Sequence, residues 1–327
     1  MFQREGEAMR TMRLHEIGGE LRLEEAVAPK PAAGEVLIRV AACGVNFADT
    51  LMVRGQYQEK PALPFAPGME VAGTVEALGG GVDGPRPGTR VAAMCGVGGF
   101  AEFVCAPAAA CVVIPDDMPD THAAALQVAY GTSELALNHR ARLKPGERLL
   151  VLGAAGGVGL TAVEIGKLMG AEVIACARGE ARLAKARDKG ADHLIDPEAT
   201  DLREAVLALG GADVVYDPVG GAQWKAAMRA ANPEARLLPI GFASGEVPQI
   251  PANILLVKNL DVLGVYWGAY YRFAPRVLAE SFERILGWYR EGRIEPHVSN
   301  VLPLDRAGEA LALLRGRKAT GKVVVTL

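Results

Sequence analysis

The residues with the clearest chemical potential lie between Gly153 and Gly159, where glycines follow the apolar stretch Arg148 to Leu152 and precede a segment with helical spacing. Glycine lets a chain turn sharply and approach an anion without a Cβ in the way, and the first N–H groups of the new helix point at that anion. Ala154, Ala155, Gly156, Gly157 and Val158 are therefore expected to face the pyrophosphate of a dinucleotide. Val158, Ala162, Ile165 and Met169 recur at i, i+4, i+7 and i+11, which predicts a helix with one apolar face. The next strand-like segment, Glu172 to Ala177, runs into Arg178, with Arg182 four residues on. The tip of that strand reaches the adenosine ribose, where a carboxylate would select NAD. No carboxylate stands there, and two guanidiniums offer a fork of donors to a 2′-phosphate, so NADP(H) is the expected coenzyme. The same cations, with Lys185 and Arg187, also describe an ordinary solvated helix face, and the intervening Glu180 leaves a mixed preference open.

These residues need a sheet to hold them. Six strands alternate with helical segments between about Ala125 and Val265: Arg148 to Leu152, Glu172 to Ala177, His193 to Asp196, Ala212 to Tyr216, Arg236 to Ile240 and Leu260 to Val265. Such alternation predicts a parallel sheet covered on both faces, a doubly wound α/β (Rossmann) domain. Gly170, Gly190 and Gly210-Gly211 fall just past the helix ends, where a left-handed residue is wanted. The preceding chain reads differently. Glu35 to Ala41, Val71 to Leu78, Arg90 to Ala93 and Ala101 to Cys105 are short strands between Gly and Pro turns, a mostly antiparallel β domain. Helical patterns follow at Pro275 to Glu291 and Asp305 to Arg315, then a last strand, Lys322 to Thr326, expected to rejoin the antiparallel part. The nucleotide domain is then an insertion, and a cleft beside it the expected place for a substrate.

Composition sets the outer limits. The 327 residues, half of them apolar, suffice for about two domains, and a net charge of −3 with scattered Lys and Arg offers no basic stripe for nucleic acid or anionic lipid. No run approaches 18 uninterrupted apolar residues, which argues against a membrane span. Cys43, Cys95, Cys105, Cys111 and Cys176 are odd in number and include no C-x-x-C pair, so they read as thiols in a reducing compartment. Met1 to Arg10 lacks an apolar core, so cytoplasm is the default, and the first several residues are expected to form a disordered extension.

The stretch Val45 to Tyr57, the run Pro67 to Gly73 and the glycine turn resemble the quinone oxidoreductase branch of the medium-chain dehydrogenase/reductase superfamily. Asn253 to Asn259, Tyr266 to Gly268 and Ala319 to Lys322 extend the likeness nearly end to end. The resemblance implies a GroES-like, mostly antiparallel β catalytic domain over residues 1–124 and 266–327 around a Rossmann NADPH-binding domain over residues 125–265. It also implies homodimers and NADPH-dependent reduction of quinones or activated alkenes. Zinc alcohol dehydrogenases share that architecture, but their zinc-binding Cys stands where this chain has Asn46 and their His where it has Met69. Neither residue suits a catalytic zinc, the four-cysteine structural lobe is missing, and the five histidines show no ligand spacing, so zinc-free chemistry is expected.

Without a Lewis acid a saturated alcohol lacks the polarisation that hydride removal needs, whereas a quinone or conjugated enone delocalises the incoming charge onto oxygen. Asn46, through its amide, and Tyr57 are the candidate donors to that oxygen; Asp49 and Arg54 are read as an ion pair fixing the loop. Many relatives carry Tyr where this chain has Leu51, which leaves the acceptor pocket's polarity open. For the nicotinamide end the resemblance implies Tyr130, Thr132, Gly241, Phe242, Ala243, Tyr266, Trp267, Gly268 and Lys322. Trp267 and Tyr270 read equally well as cleft walls and as core or interface aromatics. Three functions remain: an NADPH:quinone oxidoreductase, an enoyl-thioester or other alkene reductase, and an NADPH-binding protein with little turnover.

Overall fold

Alternation of buried and exposed positions shapes the first part of the chain into sheet. The computed structural model describes residues 7–327, so the expectation for the extreme N-terminus falls outside the described residues. Strands β1 (Ala8–Leu14) and β2 (Leu21–Val27) form an antiparallel hairpin. β3 (Glu35–Val45), β4 (Glu70–Leu78), β5 (Arg90–Met94), β6 (Phe103–Pro107) and β7 (Cys111–Val113) follow, β6 pairing with β3 off the main path. The core beneath them is aliphatic, with Leu14, Val36, Ile38, Val45, Met52, Val71 and Phe100 all buried.

The second part is built of apolar runs that are buried on both faces, as a parallel sheet requires. β8 (Arg148–Leu152), β9 (Glu172–Cys176), β10 (His193–Ile195), β11 (Ala212–Asp217), β12 (Ala231–Pro239) and β13 (Asp261–Val262) pair in parallel in the order β10-β9-β8-β11-β12-β13. This is the doubly wound order, with the switch point between β8 and β11. β12 starts five residues before the expected Arg236, and β13 shrinks from the expected Leu260–Val265 to two residues, with Asp261 and Val262 paired to β12 and one further bond from the Leu263 N–H to the Leu237 carbonyl. Gly170, Gly190, Gly210 and Gly211 do adopt positive φ past their helices.

β14 (Val298–Pro303) and β15 (Lys322–Thr326) close the antiparallel part. β15 pairs antiparallel with β3, Val323 opposite Val45, and parallel with β14. The chain thus forms two units, one running to Val128 together with Glu295–Leu327 and the other Ala129–Ile294. Residues 266–294, assigned from the sequence to the catalytic domain, group instead with the nucleotide-binding unit. The reason is packing. Trp267 meets Tyr271 and Phe282 edge to face, at 5.4 and 6.1 Å, and on the helix Pro275–Arg290 both Ser281 and Arg284 hydrogen-bond the fully buried Glu134.

One helix also departs from its expected amphipathic form. Gly157–Leu168 is buried continuously from Gly159 to Gly166, not along one face. The helix Gln127–Glu134 covers its far side through Ser133 Oγ, bonded to Thr161 Oγ1 at 2.8 Å and the Val158 carbonyl at 3.0 Å. Among the described residues no helix is long and apolar enough to cross a membrane.

Candidate functional site

The glycine turn leaves β8 at the switch point. Gly153 adopts φ +57, and a Cβ there would come within 2.9 Å of Val219 Cγ2, so the turn lies against the loop that follows β11. That loop is held by Asp217, whose carboxylate accepts the N–H groups of Val219 at 2.7 Å and Gly220 at 2.9 Å. Burial pushes Asp217 up to about 6, against the pull of those amides. Gly241 and Ala243 fold back on the same loop, donating to the Asp217 and Pro218 carbonyls, while Phe242 stays exposed.

Not every turn residue remains free to face a ligand. Ala154 is fully buried and its N–H is given to the Cys176 carbonyl at 3.0 Å, and Ala155 is buried as well. Gly156 caps the helix Gly157–Leu168 in extended geometry and is exposed, and Gly157 and Val158 are half-buried, so these three are the accessible part of the turn. Gly159 is the point of closest approach: a Cβ there would lie 2.2 Å from the Gly153 carbonyl oxygen.

Arg178 stands just past β9, paired at 3.5 Å with Glu198, whose side chain is 67% exposed. Arg182, on the first turn of the helix Glu180–Asp188, directs Nη1 to the Arg178 carbonyl at 3.4 Å. No carboxylate ends β9; Asp196, after β10, instead accepts the Gly179 N–H at 2.9 Å.

The nicotinamide-end residues are scattered in their exposure. Tyr130 is buried with its phenol donated to Glu164 at 2.6 Å, a carboxylate that also holds Lys189 at 2.8 Å, so the Tyr130 side chain is committed to the core. Thr132 is buried and Tyr266 is partly exposed. The Trp267 ring is a core aromatic: Gly131 leaves room for it, a Cβ there meeting Trp267 Nε1 at 2.7 Å, and Tyr270 packs on Phe273 and His139. Of residues 266–268, only the Trp267 side chain is withdrawn into the core; Tyr266 is exposed.

The first unit contains a buried polar network with no counterpart among the sequence expectations. Glu70, at the start of β4 and 1% exposed, is its hub. Glu70 Oε1 accepts Asn46 Nδ2 at 2.9 Å and Lys322 Nζ; Oε2 accepts the Val128 N–H at 2.9 Å. Lys322 also donates to Asn46 Oδ1 at 2.8 Å. Asn46 caps the helix Phe47–Val53, and Asp49 at its third position takes the Asn46 N–H at 2.7 Å and the Gly68 N–H at 3.1 Å. One expectation is corrected here: Asp49 turns inward while Arg54 is exposed, with no ion pair between them among the described residues, whereas Lys322 is buried and the Asn46 amide is engaged on both atoms. Tyr57 packs, partly buried, against the same unit's core. Glu70 was legible only as part of a motif. An acid heading a buried strand signals a buried partner, but which one lies 252 residues away.

Asp49 is pushed up to about 7, first by burial and then by Glu70, with the Asn46 and Gly68 amides and Lys322 pulling it down. The folded state therefore holds this proton where the unfolded chain has lost it, so stability falls as pH rises from 3.8 to about 7, by roughly 4 kcal/mol over the full window. Asp217 acts in the same direction over a narrower range. In urea denaturation at several pH values, Asp49→Asn is expected to remove the larger part of this slope; an unchanged slope would assign the titration elsewhere.

Among the described residues no group of three or more His, Cys, Asp and Glu side chains is placed to hold a metal ion. Met69, next to Glu70 in the chain, is buried, and His15 and His193 pair with Glu24 and Glu172.

Comparison with known proteins places this arrangement. The family model for the alcohol dehydrogenase GroES-like domain matches residues 32–116, and that for zinc-binding dehydrogenase matches residues 157–283. The quinone oxidoreductase-like protein 2 homolog of Nematostella vectensis is 40% identical over 323 residues, covering 97% of this chain and 88% of the relative. The quinone oxidoreductase of Thermus thermophilus, solved also with NADPH, superposes with TM-score 0.83 at 34% identity, covering 97% of this chain and 100% of that one. A mycobacterial protein complexed with NADPH does so with TM-score 0.91 at 31% identity, over 97% and 100%.

Proposed function

Since the chain belongs to the quinone oxidoreductase family of the medium-chain dehydrogenases/reductases, we propose that it is an NADPH-dependent reductase of quinones or activated enones that works without zinc. Bound NADPH supplies a hydride from C4 of its nicotinamide to the electron-poor carbon of the acceptor. Gly156, Gly157 and Val158 hold the pyrophosphate on the N–H groups of the helix start, and Arg178 and Arg182 take the 2′-phosphate. Thr132, the loop 241–243 and the backbone of 266–268 line the nicotinamide end.

The observation that carries this reading is the donor set around Asn46. A catalytic zinc needs thiolate, imidazole or carboxylate with one position open. Here an amide and a thioether, Asn46 and Met69, occupy the positions of the metal ligands, and the nearby Glu70 carboxylate is already taken by Asn46, Lys322 and the Val128 amide. Such a site does not fit the metal. It can activate only an acceptor whose own π system disperses the negative charge.

A steady-state screen of EDTA-dialysed protein with 1,2- and 1,4-quinones, enones, a 2-enoyl-CoA and saturated alcohols tests it. Quinones or enones are expected to be reduced with NADPH at a rate that added zinc does not change. NADPH left unoxidised by every acceptor, or alcohol oxidation that appears only with zinc, would refute the proposal.

A further inference from the structure

Lys322 supplies the positive charge of the buried network in the first unit, and its bonding is incomplete. Its side chain is 6% exposed, and its ammonium carries three N–H groups. One goes to Asn46 Oδ1 and one to Glu70 Oε1, and no acceptor for the third exists among the described residues. A buried donor without an acceptor is disfavoured unless an ordered water or a ligand completes it. The two partners hold the ammonium in place: Glu70 is itself fixed by the Val128 N–H, and Asn46 by its place at the head of the helix Phe47–Val53. The other titratable groups acting on this cluster are Asp49 and the buried thiols of Cys43 and Cys95. Glu70 is also closely packed, since Gly44, in β3, has no room for a Cβ: one would lie 1.9 Å from the Ala124 carbonyl oxygen and 2.8 Å from Glu70 Oε1.

We infer that the third N–H of Lys322 is the donor that meets the acceptor's carbonyl oxygen as it gains negative charge, with Glu70 and Asn46 as the residues that position it. This rests on the reductase reading above. It moves the role expected of the Asn46 amide to the neighbouring ammonium, a stronger donor because it is charged. The Asn46 Nδ2 group has only its 3.4 Å contact with the Gly44 carbonyl left to give up, so it serves better as a holder than as the donor itself. No bond to Lys322 forms or breaks; its contribution is a hydrogen bond that strengthens as charge develops on the oxygen.

Lys322→Met alone leaves the Glu70 carboxylate buried without its partner, so the main variant is Lys322→Met/Glu70→Gln, which removes both charges. In this variant kcat/KM for the best quinone or enone is expected to fall about 100-fold. The NADPH dissociation constant, read by fluorescence titration, should stay within about twofold. Asn46→Ala, which keeps the ion pair, should lose about tenfold in kcat. Independent of turnover, 4-nitrophenol bound in competition with the acceptor places a phenolate oxygen where the charge develops. Its titration midpoint should lie about one pH unit below that of free 4-nitrophenol in the wild type and unshifted in the double variant. A double variant that keeps more than a third of the wild-type kcat/KM, or bound nitrophenol that titrates alike in both proteins, would overturn the role of Lys322. A wild type that oxidises no NADPH with any acceptor would instead overturn the reductase reading beneath it.

Discussion

Gly159→Val is expected to abolish NADPH binding in fluorescence titration and to lower stability by at least about 2 kcal/mol. The reason is that the obstacle is backbone. A Cβ at this position would lie 2.2 Å from the Gly153 carbonyl oxygen and 2.9 Å from Ala154 Cα, and neither atom can rotate away. To make room, the start of the helix Gly157–Leu168 must separate from the turn, and the amides of Gly157 and Val158 move with it. Losing two hydrogen bonds to a charged group, at about 1.5–3 kcal/mol each, corresponds to a loss of affinity of more than 100-fold. Gly308→Ala is the control: it sits in the helix Ala307–Arg315 with nothing within 4 Å of an added Cβ, so it should keep both stability and binding. Gly159→Val with wild-type affinity would show that the turn is not the coenzyme's anchor.

Arg178→Ala/Arg182→Ala is expected to raise KM for NADPH by about 100-fold while leaving KM for NADH within about threefold. Each guanidinium bond to the 2′-phosphate is worth about 1.5 kcal/mol or more, and NADH offers no phosphate to lose. The change should cost the fold little. Among the described residues Arg178 has only the exposed Glu198 as its ion-pair partner, and surface pairs of this kind contribute about 0–1 kcal/mol. Equal changes for both coenzymes would place the two arginines away from the ribose.

Much of the nucleotide-binding part could be read in one dimension. The apolar runs at Arg148–Leu152 and Glu172–Cys176, the glycines past the helix ends and the arginines after β9 stand where their spacing placed them, because strand period, left-handed φ and chain order are properties of neighbouring residues. Which residues meet across long distances emerged only from folding. Residues 266–294 went to the nucleotide-binding unit because Glu134 anchors Ser281 and Arg284, and the Tyr130 phenol found Glu164. The helix after the glycine turn is buried all round because a second helix covers it. Lys322 reaches Asn46 and Glu70 across 276 and 252 residues only once β15 has paired with β3. A buried charge takes its meaning from the partner that offsets its lost hydration, and although the last strand was expected to rejoin the antiparallel part, the register that delivers that partner is encoded in no local pattern.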